Sequence, residues 1–308
     1  MKKKIAVIIP CYNEELTIGK VVKDFKEKLP SADIYVCDNN SNDNSVEIAK
    51  NCGAIIRYEK KQGKGNVIKS MFKIIDADCY LIVDGDNTYS PEAAKEMCDL
   101  VLKNNYDMVI GDRLSSTYYE ENKRLFHNFG NKIVCNLVKL LFKFDIKDVL
   151  TGYRALSYNF VKNYPVLSKK FEIETEMTIY AIYHNYKIKV IPTGYKDRIE
   201  GSYSKLHTYK DGIIIIKKFK ELIKEYHPRL LLNIYSLISL AISLLIGLPI
   251  LIEYLKLKAI SNILSLIVSI IFLIISIILY ITGIILEILF IKYDRLYELY
   301  LNKSERRD

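Results

Sequence analysis

The chain has no tryptophan, four histidines and six cysteines among its 308 residues. Without Trp no Gln-x-x-Arg-Trp segment can be present. The histidines are scattered and make no metal cluster. The cysteines (Cys11, Cys37, Cys52, Cys79, Cys98, Cys135) contain no Cys-x-x-Cys pair, so they read as reduced and mostly core residues. No internal repeat or low-complexity linker is visible. The opening Met1-Lys-Lys-Lys-Ile-Ala-Val-Ile-Ile-Pro10 has an apolar run of about six residues. That is too short for a signal-peptide core, and it reads as a first β-strand.

Charge is missing from two stretches, residues 230–252 and 259–286. Each exceeds the roughly 20 residues that cross a bilayer core. Two membrane helices within 230–290 are expected, with buried helices of a soluble protein as the alternative. Lys217, Lys218, Lys220, Lys224 and Arg229 precede the first stretch; Lys292, Arg295, Lys303, Arg306 and Arg307 follow the second. The connecting loop holds only Lys256 and Lys258. The positive-inside rule then predicts a multi-pass protein of the cell membrane. Its first domain and both termini, including a basic tail over 291–308, would be cytoplasmic. The net charge of +9 suits an anionic membrane surface. Nucleic acid is not implied, because no recognition motif accompanies the charge. Residues 208–229 read as a basic amphipathic helix, either lying on the membrane surface or packed as a cytosolic helix.

Before that, short apolar runs alternate with helical patterns. Strands are expected at 4–9, 34–37, 54–58, 79–83, 108–110 and 187–191. Helices are expected at 14–28, 45–51, 66–75, 91–103 and across 114–149. This alternation predicts a doubly wound, Rossmann-like α/β sheet in a domain over 1–207. Ligands on such sheets sit at the carboxyl ends of the strands, where Asp38 and Asp84 both fall.

The most informative segment is Tyr80-Leu-Ile-Val-Asp84-Gly-Asp86-Asn-Thr-Tyr-Ser-Pro91. In a strand, residues i and i+2 share a side, so Asp84 and Asp86 would repel unless a cation lay between them. A hard divalent ion completed by phosphate oxygens is the natural occupant. The bland alternative is a solvated Asp-Gly turn.

Other segments stand in order around it: Pro10-Cys-Tyr-Asn-Glu-Glu15, Asp38-Asn-Asn-Ser-Asn-Asp43 and Gly63-Lys-Gly65, then Gly111-Asp-Arg113 and Thr151-Gly-Tyr-Arg154. Phe171-Glu-Ile-Glu-Thr-Glu176 and Arg198-x-x-Gly201-Ser-x-Ser-Lys205 complete the set. This ordered set resembles glycosyltransferase family 2, with its nucleotide-sugar-binding GT-A fold. Within that family it is most similar to the branch of dolichyl-phosphate mannose synthase and bacterial polyprenyl-phosphate glycosyltransferases. The resemblance covers roughly residues 4–210.

The resemblance implies a membrane-anchored, inverting, metal-dependent hexosyltransferase using Mg²⁺ or Mn²⁺. It would move one sugar from a UDP- or GDP-sugar to a polyprenyl (dolichyl or undecaprenyl) phosphate. Asp84 and Asp86 match the family's metal-binding pair. Pro10, Asn13, Glu14, Asp38, Lys64 and Asp84 fall in the nucleotide-sugar site. Asn39 and Asn40 depart from the Asp-Asp-Gly-Ser-x-Asp pattern common in the family and leave uracil or guanine open. Thr88 stands where the branch often has Gln. Asp43 is read either as part of the site or as the cap of the next helix.

A phosphate acceptor is already anionic, so cations that hold it matter more than a base. Arg113, Lys132, Arg198 and Lys205 are candidates for that task, each with a surface ion pair as the alternative, and Ser202 joins them in the acceptor-phosphate site. Glu172, Glu174 and Glu176 alternate and would share one face if extended. Glu174 is the candidate for sugar binding, or for general base toward a hydroxyl acceptor. The expected catalytic residues are Asp86, Arg198 and Glu174. A homo-oligomer is compatible with the sequence, which does not specify its order.

The alternatives are a transferase acting on a glycan or glycolipid hydroxyl and a non-catalytic sugar-nucleotide-binding scaffold. A processive synthase would need the missing Gln-x-x-Arg-Trp segment. A nucleotidyltransferase would need a Gly-rich, Arg-containing first loop.

Overall fold

The computed structural model describes residues 3–113, 127–196, 198, 221, 224, 228–260 and 262–304. It divides into two compact units, Met1–Phe219 and Lys220–Asp308. The first unit begins with β1 (Ile5–Cys11), α1 (Ile18–Lys28), β2 (Asp33–Asp38), α2 (Ser45–Asn51), β3 (Ile55–Tyr58), α3 (Lys64–Ile74) and β4 (Cys79–Ile82). A 3-10 turn at Pro91–Ala93 enters α4 (Ala94–Asn104), followed by β5 (Met108–Asp112), α5 (His127–Phe142) and β6 (Arg154–Ser157). The unit continues through α6 (Tyr158–Asn163), α7 (Ile173–Tyr183) and β7 (Ile188–Pro192).

The strands form one sheet in the order β3-β2-β1-β4-β6-β5-β7. β6 is antiparallel to β4 and β5, and the other pairings are parallel. β1 and β4 lie in its interior. Residues 6–9 and 79–82 are all buried, as expected of strands covered on both faces. α1 packs Ile18, Val21, Val22 and Phe25 inward, the i, i+3, i+4, i+7 face of an amphipathic helix.

Several boundaries differ from expectation for local reasons. α1 starts at Ile18 rather than near 14, after a left-handed Asn13 (φ 53°) and a turn over residues 15–17. Thr17 and Ile18 then donate their amides to the Glu14 carbonyl. α5 ends at Phe142, where Lys143 has φ 55°. The chain folds back along the helix, with Asn131 bridging the Lys147 carbonyl and the Val149 amide. Residues 114–126 of the expected helical stretch lie outside the described residues, as does nearly all of 208–229. Glu174 and Glu176 are helical in α7, with Glu172 at its start, so the extended face expected for the three does not form.

The second unit contains α8 (Pro228–Leu257) and α9 (Ile263–Ser304). Both are long and apolar enough to cross a membrane. α9 runs well past the expected end at 286, so most of the expected tail is helical. The two helices pack through serines. Ser236 and Ser276 exchange hydroxyl-to-carbonyl bonds of 2.9 Å, and Ser243 and Ser269 do the same at 2.8 and 3.0 Å. Ser239 donates to the Phe272 carbonyl at 2.7 Å, while an ion pair joins Arg229 to Glu287. Leu245 and Leu264 are 76% and 72% exposed. A polar seam inside an apolar exterior inverts the pattern of a soluble helix pair and suits a lipid environment.

Candidate active site

The chain order of the strands reverses between β1 and β4, which opens a crevice at their carboxyl ends. Three loops from this edge are tied together. The Asn13 amide donates to Ser41 Oγ at 2.9 Å, and Asn13 Oδ1 accepts from the Asn42 amide at 2.8 Å. The Glu14 amide donates to Ser45 Oγ at 2.8 Å. Thr17 Oγ1 donates to the Gly85 carbonyl at 2.7 Å, fastening the first loop to the Asp84-Gly-Asp86 turn. Pro10 lies near the end of β1, paired with Cys37.

Asp38 ends β2 and accepts from the Ser41 amide at 3.2 Å. Asp43 Oδ1 accepts from the Ser45 amide at 3.0 Å, which places it as an acceptor at the start of α2. The two departures at Asn39 and Asn40 have a structural cause. Asn39 Nδ2 donates to the carbonyls of Glu59 (2.7 Å) and Lys61 (2.9 Å), and its Oδ1 accepts from the Gly63 amide at 2.7 Å. Asn40 Nδ2 reaches the Lys60 carbonyl at 2.9 Å. Neither the acid common at position 39 nor the glycine common at position 40 could make these donations. Both asparagines therefore anchor the segment that leads into Lys64.

β4 stops at Ile82, so Asp84 and Asp86 lie in the following turn and strand alternation does not orient them. Asn87, with φ 58°, completes the turn. Thr88 Oγ1 donates to Asp86 Oδ1 at 2.6 Å, holding the acid rather than reaching outward. Residues 88–90 then pair with the chain after β7. The Ser90 amide donates to the Gly194 carbonyl, the Lys196 amide donates to the Thr88 carbonyl, and Tyr89 bridges to Tyr195. That pairing carries Arg198 to Asp86 Oδ2 at 2.5 Å. Burial raises the Asp86 pKa and the neighbouring Asp84 charge adds to it, opposed by Arg198.

Lys64, in the first turn of α3, sits between two carboxylates. Its Nζ lies 2.5 Å from Asp84 Oδ1 and 2.6 Å from Glu174 Oε1. The Asp84 side chain is 30% exposed, whereas those of Lys64 and Glu174 are 8% and 5% exposed. Burial works against the ammonium, but Asp84 and Glu174 outweigh it and raise the Lys64 pKa. Burial also raises the Glu174 pKa, against the pull of Lys64. Glu174 Oε2 is buried without a hydrogen-bond partner.

The glycines around Lys64 serve close approach. A Cβ at Gly65 would stand 2.2 Å from the Ser168 carbonyl oxygen, and one at Gly63 equally near that of Lys169. A Cβ at Gly152 would meet Lys64 Nζ at 2.6 Å and Asp84 Oδ2 at 2.7 Å.

Arg154 carries no role assigned from sequence, yet it is wholly buried. It donates to the Thr151 and Val149 carbonyls at 3.0 and 2.8 Å and to Thr178 Oγ1 at 2.8 Å. It thereby shapes the loop that contains Gly152, and burial lowers its pKa to about 10. Glu176 accepts from Tyr164 Oη at 2.8 Å, the Leu167 amide at 2.9 Å and Ser168 Oγ. It holds the segment against which Gly65 packs.

Arg113, expected to bind phosphate, is engaged elsewhere in the structure. Its Nε and Nη2 fork grips the buried Asp148 at 2.7 and 3.0 Å, and its guanidinium lies 5.5 Å from the Tyr195 ring centre. It braces the 148–151 loop. Lys132 falls on α5, its side chain outside the described residues, as are Ser202 and Lys205.

Among the described residues no three His, Cys, Asp or Glu side chains gather as metal ligands. Two adjacent carboxylates with a partly open Asp84 do fit a hard divalent cation. Such ions are commonly held by one or two carboxylates and completed by substrate phosphates.

A model of glycosyl transferase family 2 matches residues 6–164. The chain is 31% identical over 266 residues to glycosyltransferase AglJ of Haloferax volcanii, covering 86% of each protein. It is 27% identical over 226 residues to a dolichyl-phosphate hexose transferase of the same organism, covering 73% of this chain and 96% of the relative. Glucosyl-3-phosphoglycerate synthase of Mycobacterium tuberculosis, solved with Mn²⁺, UDP and glucosyl-3-phosphoglycerate, superposes with a TM-score of 0.60. Its sequence identity is 16%, and the match covers 73% of this chain and 80% of that one. The mixed sheet is therefore a GT-A fold, and the chain belongs to glycosyl transferase family 2.

Proposed function

We propose that this protein transfers a single hexose, with inversion, from a UDP- or GDP-sugar to a polyprenyl phosphate at a membrane. The observation that carries the reading is the pairing of Asp84 with Lys64 and of Asp86 with Arg198. It gathers acids and cations from remote segments at the crevice where a donor diphosphate would lie. The dolichyl-phosphate hexose transferase relative and the two apolar helices support a lipid-phosphate acceptor. The basic residues flanking those helices support cytoplasmic termini.

Asp84 and Asp86 would hold Mg²⁺ or Mn²⁺, which supplies Lewis-acid neutralisation of the leaving diphosphate. Pro10, Asn13, Glu14 and Asp38 line the nucleotide side in this reading, with Asp38 offering an acceptor to a base N–H. Lys64 places an ammonium beside the diphosphate. Arg198, with Lys132, Ser202 and Lys205, holds the acceptor phosphate, while Arg113 keeps its loop in place. A phosphate oxygen needs no strong base to attack the anomeric carbon. That agrees with Glu174, whose charge is already committed to Lys64.

The test is a screen of UDP- and GDP-sugars against radiolabelled polyprenyl phosphate with Mg²⁺ or Mn²⁺. Metal-dependent lipid-linked product is expected, and it should disappear in Asp84→Asn and Asp86→Asn proteins that remain folded. Transfer confined to hydroxyl acceptors would refute the lipid-phosphate assignment, and no transfer to any acceptor would favour a scaffold.

A further inference from the structure

We infer that Lys64 competes with a divalent cation for Asp84, and that Glu174 is the positioning residue that sets the strength of this competition. The inference rests on the metal assignment above and deepens it. Lys64 Nζ is 2.5 Å from one Asp84 oxygen, so the ammonium already neutralises the acid that a metal would use. A simple Asp–Lys pair at a partly open site would be weak and mobile, since exposed pairs contribute little. Here only the Asp84 side is open: the Lys64 side chain is 8% exposed and has a second acidic partner. Glu174 holds the same nitrogen at 2.6 Å from the buried side. A side chain at Gly152 would collide with both Lys64 and Asp84, so the pair occupies a close-fitting pocket.

Glu174 cannot easily relax elsewhere. It lies in the first turn of α7 and is 4% exposed. Its second oxygen has no hydrogen-bond partner, and among the described residues Lys64 is its ion-pair partner. An unpaired buried carboxylate is costly, so Glu174 retains the Lys64 ammonium when Asp84 turns to another cation. Asp84 can therefore be released to a divalent cation without leaving the ammonium unpaired. Glu174 acts through Lys64, not on the metal.

The test is a Mn²⁺ titration by electron paramagnetic resonance on the full-length protein in lipid nanodiscs, with UDP or GDP added in a parallel series. Lys64→Gln should tighten Mn²⁺ binding at least fivefold, the lower end of couplings between linked sites (roughly 5–150-fold). Glu174→Gln should weaken it, because Lys64 then spends all its charge on Asp84. In a Lys64→Gln background, Glu174→Gln should change Mn²⁺ affinity by less than about twofold, because the residue through which it acts is gone. The double variant removes a buried charge pair together, so it remains informative if Lys64→Gln alone misfolds. Two results would overturn the inference: unchanged affinity in Lys64→Gln, or full weakening by Glu174→Gln in the Lys64→Gln background. The latter would make Glu174 a direct partner of the cation. Wild-type protein that binds no Mn²⁺ even with nucleotide would overturn the metal assignment along with it, whereas normal wild-type binding with unaltered variants sinks only the competition.

Discussion

Replacing Asn39 by Asp restores the acid common in the family at that position, and the geometry says it should harm this protein. The side chain belongs to a residue only 4% exposed. The amide nitrogen donates to two carbonyls, and the change removes both bonds while leaving the Gly63 amide its acceptor. Each lost bond is worth about 1 kcal/mol, and setting an anion against two carbonyl oxygens adds about 1–2 kcal/mol. The low end of that range applies, because the neighbouring Lys60, Lys61 and Gln62 are exposed and let water reach the stranded groups. The expected loss is about 3 kcal/mol at pH 7.

The pH dependence has a definite sign. When protonated, the introduced carboxyl can donate to one carbonyl, so folding favours the neutral acid and raises its pKa above the unfolded value near 3.9. The folded state then binds more protons than the unfolded state in that window, and stability falls as pH rises through it. The Asn39→Asp deficit should be largest at pH 7 and shrink toward pH 4, relative to wild type. Thermal unfolding of the detergent-solubilised full chain, followed by circular dichroism, measures this. Hydrogen exchange of residues 59–63 should accelerate in parallel. Equal stability at pH 7, or a deficit that does not change with pH, would refute the donor role of Asn39.

Gly152→Ala should abolish transfer with a small change in melting temperature, because the added methyl meets the tips of Lys64 and Asp84 rather than backbone; parallel activity and melting assays separate the two effects. Glu176→Ala should cost about 2–4 kcal/mol by stranding three donors, measured by denaturant unfolding, while Glu176→Gln keeps one acceptor oxygen for Tyr164 and Leu167 and should cost about 1 kcal/mol. Burial raises the thiol pKa of Cys11, Cys37 and Cys135 to about 12. These three should resist iodoacetamide at pH 8 in the folded protein, whereas half-buried Cys52 should be alkylated, as peptide mass spectrometry would show.

The strands most legible in the sequence are those with the simplest environment. β1 through β5 and β7 are largely apolar runs, and their expected positions agree with the structure to within about two residues, the usual scatter of element boundaries. β6 escapes the sequence pattern because it starts at Arg154, whose burial depends on carbonyls and a hydroxyl supplied by other segments. The Glu172-x-Glu174-x-Glu176 alternation points to an extended face. The competing signal for helix is Ile173, Met177, Tyr180 and Ala181, which recur at helical spacing and are all buried. At the site, the acids and Lys64 are readable as types placed at strand ends and turns. Their partners are not. Arg198 reaches Asp86 across a separation of 112 residues only because the chain after β7 pairs with residues 88–90. Gly63 and Gly65 flank Lys64 in the sequence, but what their missing side chains accommodate is the backbone of Lys169 and Ser168.

These pairings also fix the electrostatics of the proposed reaction. Asp84, Asp86 and Glu174 face Lys64 and Arg198, so three acids against two cations leave one formal negative charge among the five. A divalent cation and the diphosphate of a sugar nucleotide cancel each other's charge, so admitting them together leaves that balance unchanged. Admitting either alone shifts it, and in a partly buried site an uncompensated charge is expensive. The two should therefore bind with positive coupling, each raising the affinity of the other by the same factor. Equal Mn²⁺ affinity with and without UDP or GDP would contradict this. The cations that enforce the coupling come from opposite halves of the sheet: Lys64 from the helix after β3, Arg198 from the chain after β7. Both acids of the turn are balanced only when both halves are folded, so the site's charge balance is a property of the whole sheet and not of the Asp84-Gly-Asp86 turn that first marks it.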